Sequence, residues 1–164
     1  MNDKYYKMCN VKEIQNRWKP RIGDHVVCSQ GYYGILTSDK PQHITYPDGN
    51  EGEAYVGISP INGHSWSSRH PVWLPTWAQL MEMFRGIYPY NEAAPVDELY
   101  LIYDVIKSSA VEYMNYDPAI SPSYWKQFKT HEQLLLAVIM LLKYKKYFDE
   151  GKCEWVQLKW KENM

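Results

Sequence analysis

The sequence predicts an α+β protein: a small, short-stranded N-terminal barrel or bent sheet packed against about three α-helices. Three observations carry this. Four short runs rich in Val, Ile, Tyr and Thr lie between residues 18 and 61, with turn formers between them. Apolar residues then recur at helical spacing in two stretches after residue 72. Finally, nine consecutive apolar residues, Leu134 to Leu142, end in a basic stretch with Lys143, Lys145 and Lys146. That run is short of the roughly 20 residues a membrane helix needs. Being apolar on every side, it is expected to form the buried centre of the core.

Residues 1–17 read as a lead-in segment, irregular or briefly helical. Pro20 and Gly23-Asp24 mark a turn before strands expected at His25 to Cys28, Tyr32 to Thr37, His43 to Tyr46 and Ala54 to Ile58. Pro47-Asp48-Gly49-Asn50 is a turn by its chemistry, because proline presets one dihedral and Gly or Asn accepts positive φ. Ile61 to Pro71 reads as a polar loop. A helical module is expected over 72–164, forming one compact unit with the β module of 18–61. Its helices are placed at 76–86, 95–115 and 130–149. Thr76 caps the first, and Trp77, Leu80, Met81 and Phe84 form its apolar stripe. Pro95 opens the second, with Asp97 and Glu98 at its positive end and Leu99, Ile102, Tyr103, Ile106, Ala110, Tyr113 and Met114 on one face. Asp117-Pro118 and Ser121-Pro122 interrupt the chain before the third. There Thr130 and Gln133 suit a capping box, and Gly151 suits a left-handed cap. Glu154 to Trp160 alternates well enough for a terminal strand.

The formal charge of −1 gives no global attraction to nucleic acid or anionic membrane. Charge is segregated instead: residues 1–21 carry net +4, 82–117 net −5 and 126–162 net +3. Cys9, Cys28 and Cys153 are odd in number and widely spaced, which predicts reduced thiols and no disulfide or zinc site. The N-terminus has no apolar signal region, so a cytoplasmic protein is expected, with no membrane partner. The aromatic composition is unusual, with 15 Tyr and 7 Trp against 3 Phe, and amphipathic aromatics suit interfaces and pocket mouths.

The stretch from Lys19 to Leu36, with its Pro-x-x-Gly-Asp turn and Gly34-Ile35 step, resembles the opening of SH3-like barrels, a likeness confined to residues 18–60. A second resemblance is carried by Trp73, Leu74, Pro75, Gln79, Leu80 and Met83, then by Glu132, Gln133, Leu134, Lys143, Tyr144, Lys146, Trp155 and Val156. These segments resemble small uncharacterised bacteriophage and prophage proteins, which implies a phage setting and supplies no activity. The chain departs from that pattern at Trp77, where a second glutamine is usual.

The chain carries no phosphate loop, His-Glu-x-x-His, EF-hand or paired-cysteine motif, so no cofactor and no metal is expected. Gly63-His64-Ser65-Trp66-Ser67 fails as a nucleophile elbow because its last position is Ser and no helix signal follows. The leading expectation is a non-enzymatic phage or prophage accessory protein that binds a host or phage macromolecule or a nucleotide-like ligand. Its ligand-binding residues are placed at Tyr32, Tyr33, Trp66, Arg69 and His70, where a cation among aromatic faces can hold a nucleotide, a nucleic-acid strand or an acidic segment. The alternatives are a nucleotide-processing or hydrolytic enzyme using the His64-Arg69-His70 loop and a structural or assembly component of a virion.

Overall fold

The computed structural model describes residues 3–87, 98–114 and 120–159. Among the described residues the architecture is mixed α+β, with five α-helices and mostly antiparallel short strands. The chain divides into two compact units, Met1–Thr76 and Trp77–Met164.

In the first unit the Pro20 to Asp24 turn is built around buried Asp24, whose Oδ2 accepts from Trp18 Nε1 at 2.8 Å and from the Arg21 N–H at 2.9 Å. Gly23 there takes φ 93°, where a side chain would be strained. Strands β1 (His25–Val27), β2 (Tyr33–Leu36), β3 (Gln42–Thr45) and β4 (Glu51–Ile58) follow where the sequence predicts strands, with β4 starting three residues earlier than expected. β4 organises them: its first half pairs with β3, and its last residues pair with β2, which in turn pairs with β1. Sheet formation does not stop at residue 61, however. β5 (Ser65–Ser68) pairs with β4, and β6 (Val72–Trp73) returns to β1, so part of the expected polar loop is strand and Val72 belongs with the sheet. The sheet is bent rather than closed.

The lead-in is helical over α1 (Asp3–Cys9) and α2 (Lys12–Gln15), which bury Met8, Cys9 and Ile14. It is tied to β6 by Gln15, whose side-chain amide donates to the Trp73 carbonyl at 3.0 Å and accepts from the Trp73 N–H at 2.9 Å.

In the second unit α3 (Trp77–Arg85) buries Leu80, Met81 and Phe84 of the expected stripe. Trp77 is only partly buried and meets the ring of His131 edge-on. α4 (Glu98–Met114) buries Ile102 and Val105, while Tyr103, expected on that face, is 64% exposed. Ile102, Val105 and half-buried Ile106 keep helical spacing, so the buried face is rotated from the one expected. The placements of Pro95, Asp97, Asp117-Pro118 and Trp160, and of the side chains of Leu99, Ala110, Tyr113 and Met114, fall outside the described residues.

α5 (His131–Tyr144) is the centre the sequence indicates, with every residue from Leu135 to Leu141 at 0–1% exposure. Thr130 caps it by accepting the Gln133 N–H at 3.2 Å, and Gln133 reaches back to the Lys129 N–H at 2.8 Å, one residue before the usual capping-box partner. The helix does not run to 149. It ends where Lys145 turns left-handed, at φ 56°, and its N–H closes on the Leu141 carbonyl. The chain then pairs β7 (Lys146–Asp149) with β8 (Glu154–Gln157), a hairpin of its own. Buried Tyr124 receives the Phe148 N–H on its hydroxyl at 3.0 Å and packs against Trp125, Phe128 and Tyr147.

Cys9 and Cys28 are buried, Cys153 is exposed, and all three are free thiols. No helix among the described residues is long and apolar enough to cross a membrane.

Candidate functional site: an open groove along strand β5

All five residues expected to bind ligand, Tyr32, Tyr33, Trp66, Arg69 and His70, line one open groove of about 1510 Å³ in the first unit, and His64 lines it too. Three chain segments make its walls. The β1–β2 turn brings Tyr32 and Tyr33, the β3–β4 turn brings Tyr46 to Asp48 with Asn50, and the β4–β5 turn continues into β5 and on to His70.

Trp66 explains the local sequence. Strand pairing sets it opposite Gly57, and its indole lies across Gly57 and Gly34. A Cβ on Gly34 would fall 1.8 Å from Trp66 Nε1, and one on Gly57 would fall 2.3 Å from Trp66 Cζ2 and from the Ile35 carbonyl oxygen. Both glycines therefore act as a seat for the ring. The indole N–H is covered and has no hydrogen-bond partner, so Trp66 is held by shape and apolar contact. It both anchors the sheet and lines the groove.

Tyr33 turns its hydroxyl onto His25 Nδ1, and burial pushes its phenol above the ordinary value. Tyr32, by contrast, is 65% exposed at the rim, as is Ile61 at 86%. Arg69 donates from Nε to the Tyr46 hydroxyl at 3.0 Å, with its guanidinium carbon 5.0 Å from the centre of that ring. Gly52 leaves room for it, since a Cβ there would come within 3.0 Å of Nη2. The Asp48 carboxyl is held below its usual range, first by the Asn50 N–H, then by the Asn50 side chain, with Arg69 adding a favourable charge. Ser68 is buried and committed to Ser29, accepting the Ser29 N–H at 3.2 Å. His64 closes the β4–β5 turn through its backbone, and His70 is exposed beside Arg69.

The sequence reading missed Tyr46, the partner of Arg69, and the β5 backbone itself. Tyr46 stands next to the Pro47-Asp48-Gly49 turn, and that adjacency is a signal of position alone. Among the described residues no group of three or more His, Cys, Asp or Glu could hold a metal ion. Comparison with protein-family models, with curated proteins and with solved structures finds no match to this chain.

Proposed function

We propose that this protein acts by binding, and that its ligand seat is the groove along β5. The observation that supports this is the convergence of Tyr32, Tyr33, Trp66, Arg69 and His70 from separate turns onto one open surface. Exposed aromatic faces and a cation on a preformed wall are the makings of a recognition site. The resemblance of Trp73 to Met83 and Glu132 to Val156 to phage and prophage proteins supports an accessory role in a bacterial cytoplasm. The return of β6 to β1 supports the SH3-like reading of the first unit.

His64 and His70 share the groove with Arg69, which is the observation favouring a hydrolytic alternative. Binding is preferred because the polar side chains there are engaged in building the walls: Ser68 with Ser29, Tyr33 with His25, and Arg69 Nε with Tyr46. The test compares wild type with a Tyr32→Ala/Arg69→Ala double variant in affinity capture from infected or lysogenic cells, reading out proteins and nucleotides. A partner held by wild type and lost by a variant of unchanged stability is expected. Equal retention by both removes the groove from the functional account, and nucleotide turnover abolished by His64→Ala or His70→Ala replaces binding with catalysis.

A further inference from the structure

Resting on that reading, we propose that the groove takes an extended polypeptide segment, which adds as a strand to the free edge of β5 and sets a carboxylate against Arg69. The argument starts from hydrogen-bond parity. In an antiparallel pair, opposed residues alternate between those that exchange backbone hydrogen bonds and those whose N–H and C=O point away. Ser59 donates to the His64 carbonyl at 2.8 Å, which makes 59–64 a bonded pair. Two steps along the register, Gly57–Trp66 and Tyr55–Ser68 are bonded pairs as well. Ser65 and Ser67, opposite Ile58 and Val56, therefore turn their backbone groups away from β4. The other edge of β4 agrees, because Val56 gives its carbonyl to Thr37 at 3.1 Å.

No strand among the described residues pairs with that outer edge of β5. The groove also follows it. A groove lying over one face of a sheet touches alternate residues, whereas this one touches every residue from His64 to His70. Four backbone groups, the N–H and C=O of Ser65 and Ser67, thus lie along the edge that the groove follows, at the two-residue repeat that another extended backbone matches. The edge strand holds no charge and no proline, the usual devices against such pairing.

Arg69 follows directly on the end of β5, two residues beyond Ser67. Its Nε is taken by Tyr46, and its Nη atoms meet no acceptor among the described residues, which leaves a fork suited to one carboxylate. A nucleic-acid strand fits less well. It asks for several cations along its phosphates, and here Asp48 lines the groove within the field of the one arginine.

The test selects binders to the full chain from a display library of random linear dodecapeptides and synthesises the leading one. Enrichment of Asp or Glu near one end is expected, with amide exchange of Ser65 and Ser67 slowed on binding. N-methylation of alternate peptide amides should weaken affinity about 3- to 10-fold at each position, with little effect at the positions between, since each lost hydrogen bond is worth about that much. The protein is unaltered in that arm, so folding is not in question. Arg69→Gln should weaken the same peptide about 10-fold or more. A peptide that Tyr32→Ala releases but whose N-methylation shows no alternation overturns strand addition and leaves the groove as the binding site. A peptide indifferent to both Tyr32→Ala and Arg69→Gln overturns the groove reading itself. Failure to select any peptide, with a single-stranded oligothymidylate bound instead, overturns the polypeptide in favour of nucleic acid. A dimer of this chain that slows exchange at Ser65 and Ser67 without peptide overturns it in favour of a second copy.

Discussion

Gly34→Ala should destabilise the first unit through one side chain, and removing that side chain should abolish the loss. The added Cβ would lie 1.8 Å from Trp66 Nε1 and 2.4 Å from Cε2, distances no packed pair of atoms adopts, so either the indole leaves its seat or β2 moves. Overpacking costs about 1–3 kcal/mol. Expelling a large aromatic adds part of the roughly 3–5 kcal/mol of its burial, and since Trp66 is half-buried we expect a loss of about 3 kcal/mol. In a Trp66→Ala background the seat is empty. Gly34 does not have a left-handed φ, so alanine there should be neutral or stabilise by about 0.4–1 kcal/mol through the unfolded chain. The coupling between the two substitutions is therefore about 3–4 kcal/mol. Gly57→Ala is the internal control. Its Cβ also meets the Ile35 carbonyl at 2.3 Å, a backbone atom that cannot swing aside, so a cost of about 1–3 kcal/mol should persist when Trp66 is removed. Urea titration, followed by amide exchange in β2 and β4 and run in trimethylamine N-oxide so that each variant starts folded, measures all four corners. A Gly34→Ala cost that is the same in both backgrounds to within about 0.5 kcal/mol would refute the seat.

Leu136→Ala, in the middle of α5, should cost about 2–5 kcal/mol in chemical denaturation, and half-buried Leu134 or Leu142 less. Thr130→Ala removes the acceptor for the Gln133 N–H and should cost about 1 kcal/mol, most of it restored by Thr130→Ser. Under native conditions a thiol reagent should label Cys153 first, and all three cysteines should react after unfolding. Burial raises the Cys9 thiol and the Tyr124 phenol above their ordinary values of 9.0 and 10.0, so both stay protonated when folded and ionise more readily when unfolded. Their contributions are complete below those values and decline as pH rises through them, by up to about 1.4 kcal/mol per pH unit for each group. Cys9→Ala should flatten the alkaline loss of the first unit only, as read by amide exchange.

What the sequence revealed followed the strength of local signals. The α5 run is apolar on every side, so its burial could be read without any partner, and Thr130 with Gln133 announced its start. Its end carried no signal. Lys145 takes the left-handed conformation that glycine usually supplies, while Gly151 lies in the turn between β7 and β8. The four earlier strands were legible from their β-branched residues and turns. β5 was not, because Ser-Trp-Ser-Ser has one apolar residue and no alternation to read. Its strand character comes from pairing with β4 and from the glycine seat under Trp66, contacts distant in sequence. The groove residues were legible as aromatic and cationic side chains in turns, whereas their convergence depended on how β4 pairs with β2, β3 and β5, which no short window contains.

The serines that hid β5 also bear on what it can do. A strand edge left open to solvent is an aggregation hazard when it is long, flat and apolar. β5 has four residues, and Ser65 and Ser67 turn only small hydroxyls to the outside, so the edge can stay open. Side chains that small contribute little to holding the strand in place. The anchoring falls to Trp66, which faces the other way, onto Gly34 and Gly57, and fixes the register that points Ser65 and Ser67 outward. Anchor and edge are thus alternate residues of one strand, and the two roles separate under mutation. Gly34→Ala, by lifting Trp66, should lower stability and peptide affinity together. Tyr32→Ala, at an exposed position, should lower affinity and leave the unfolding free energy within about 0.5 kcal/mol of wild type. Calorimetric titration of the selected peptide beside the urea melts of both variants checks the separation. Undiminished affinity in Gly34→Ala at clearly reduced stability would show that the edge of β5 does not depend on its tryptophan anchor.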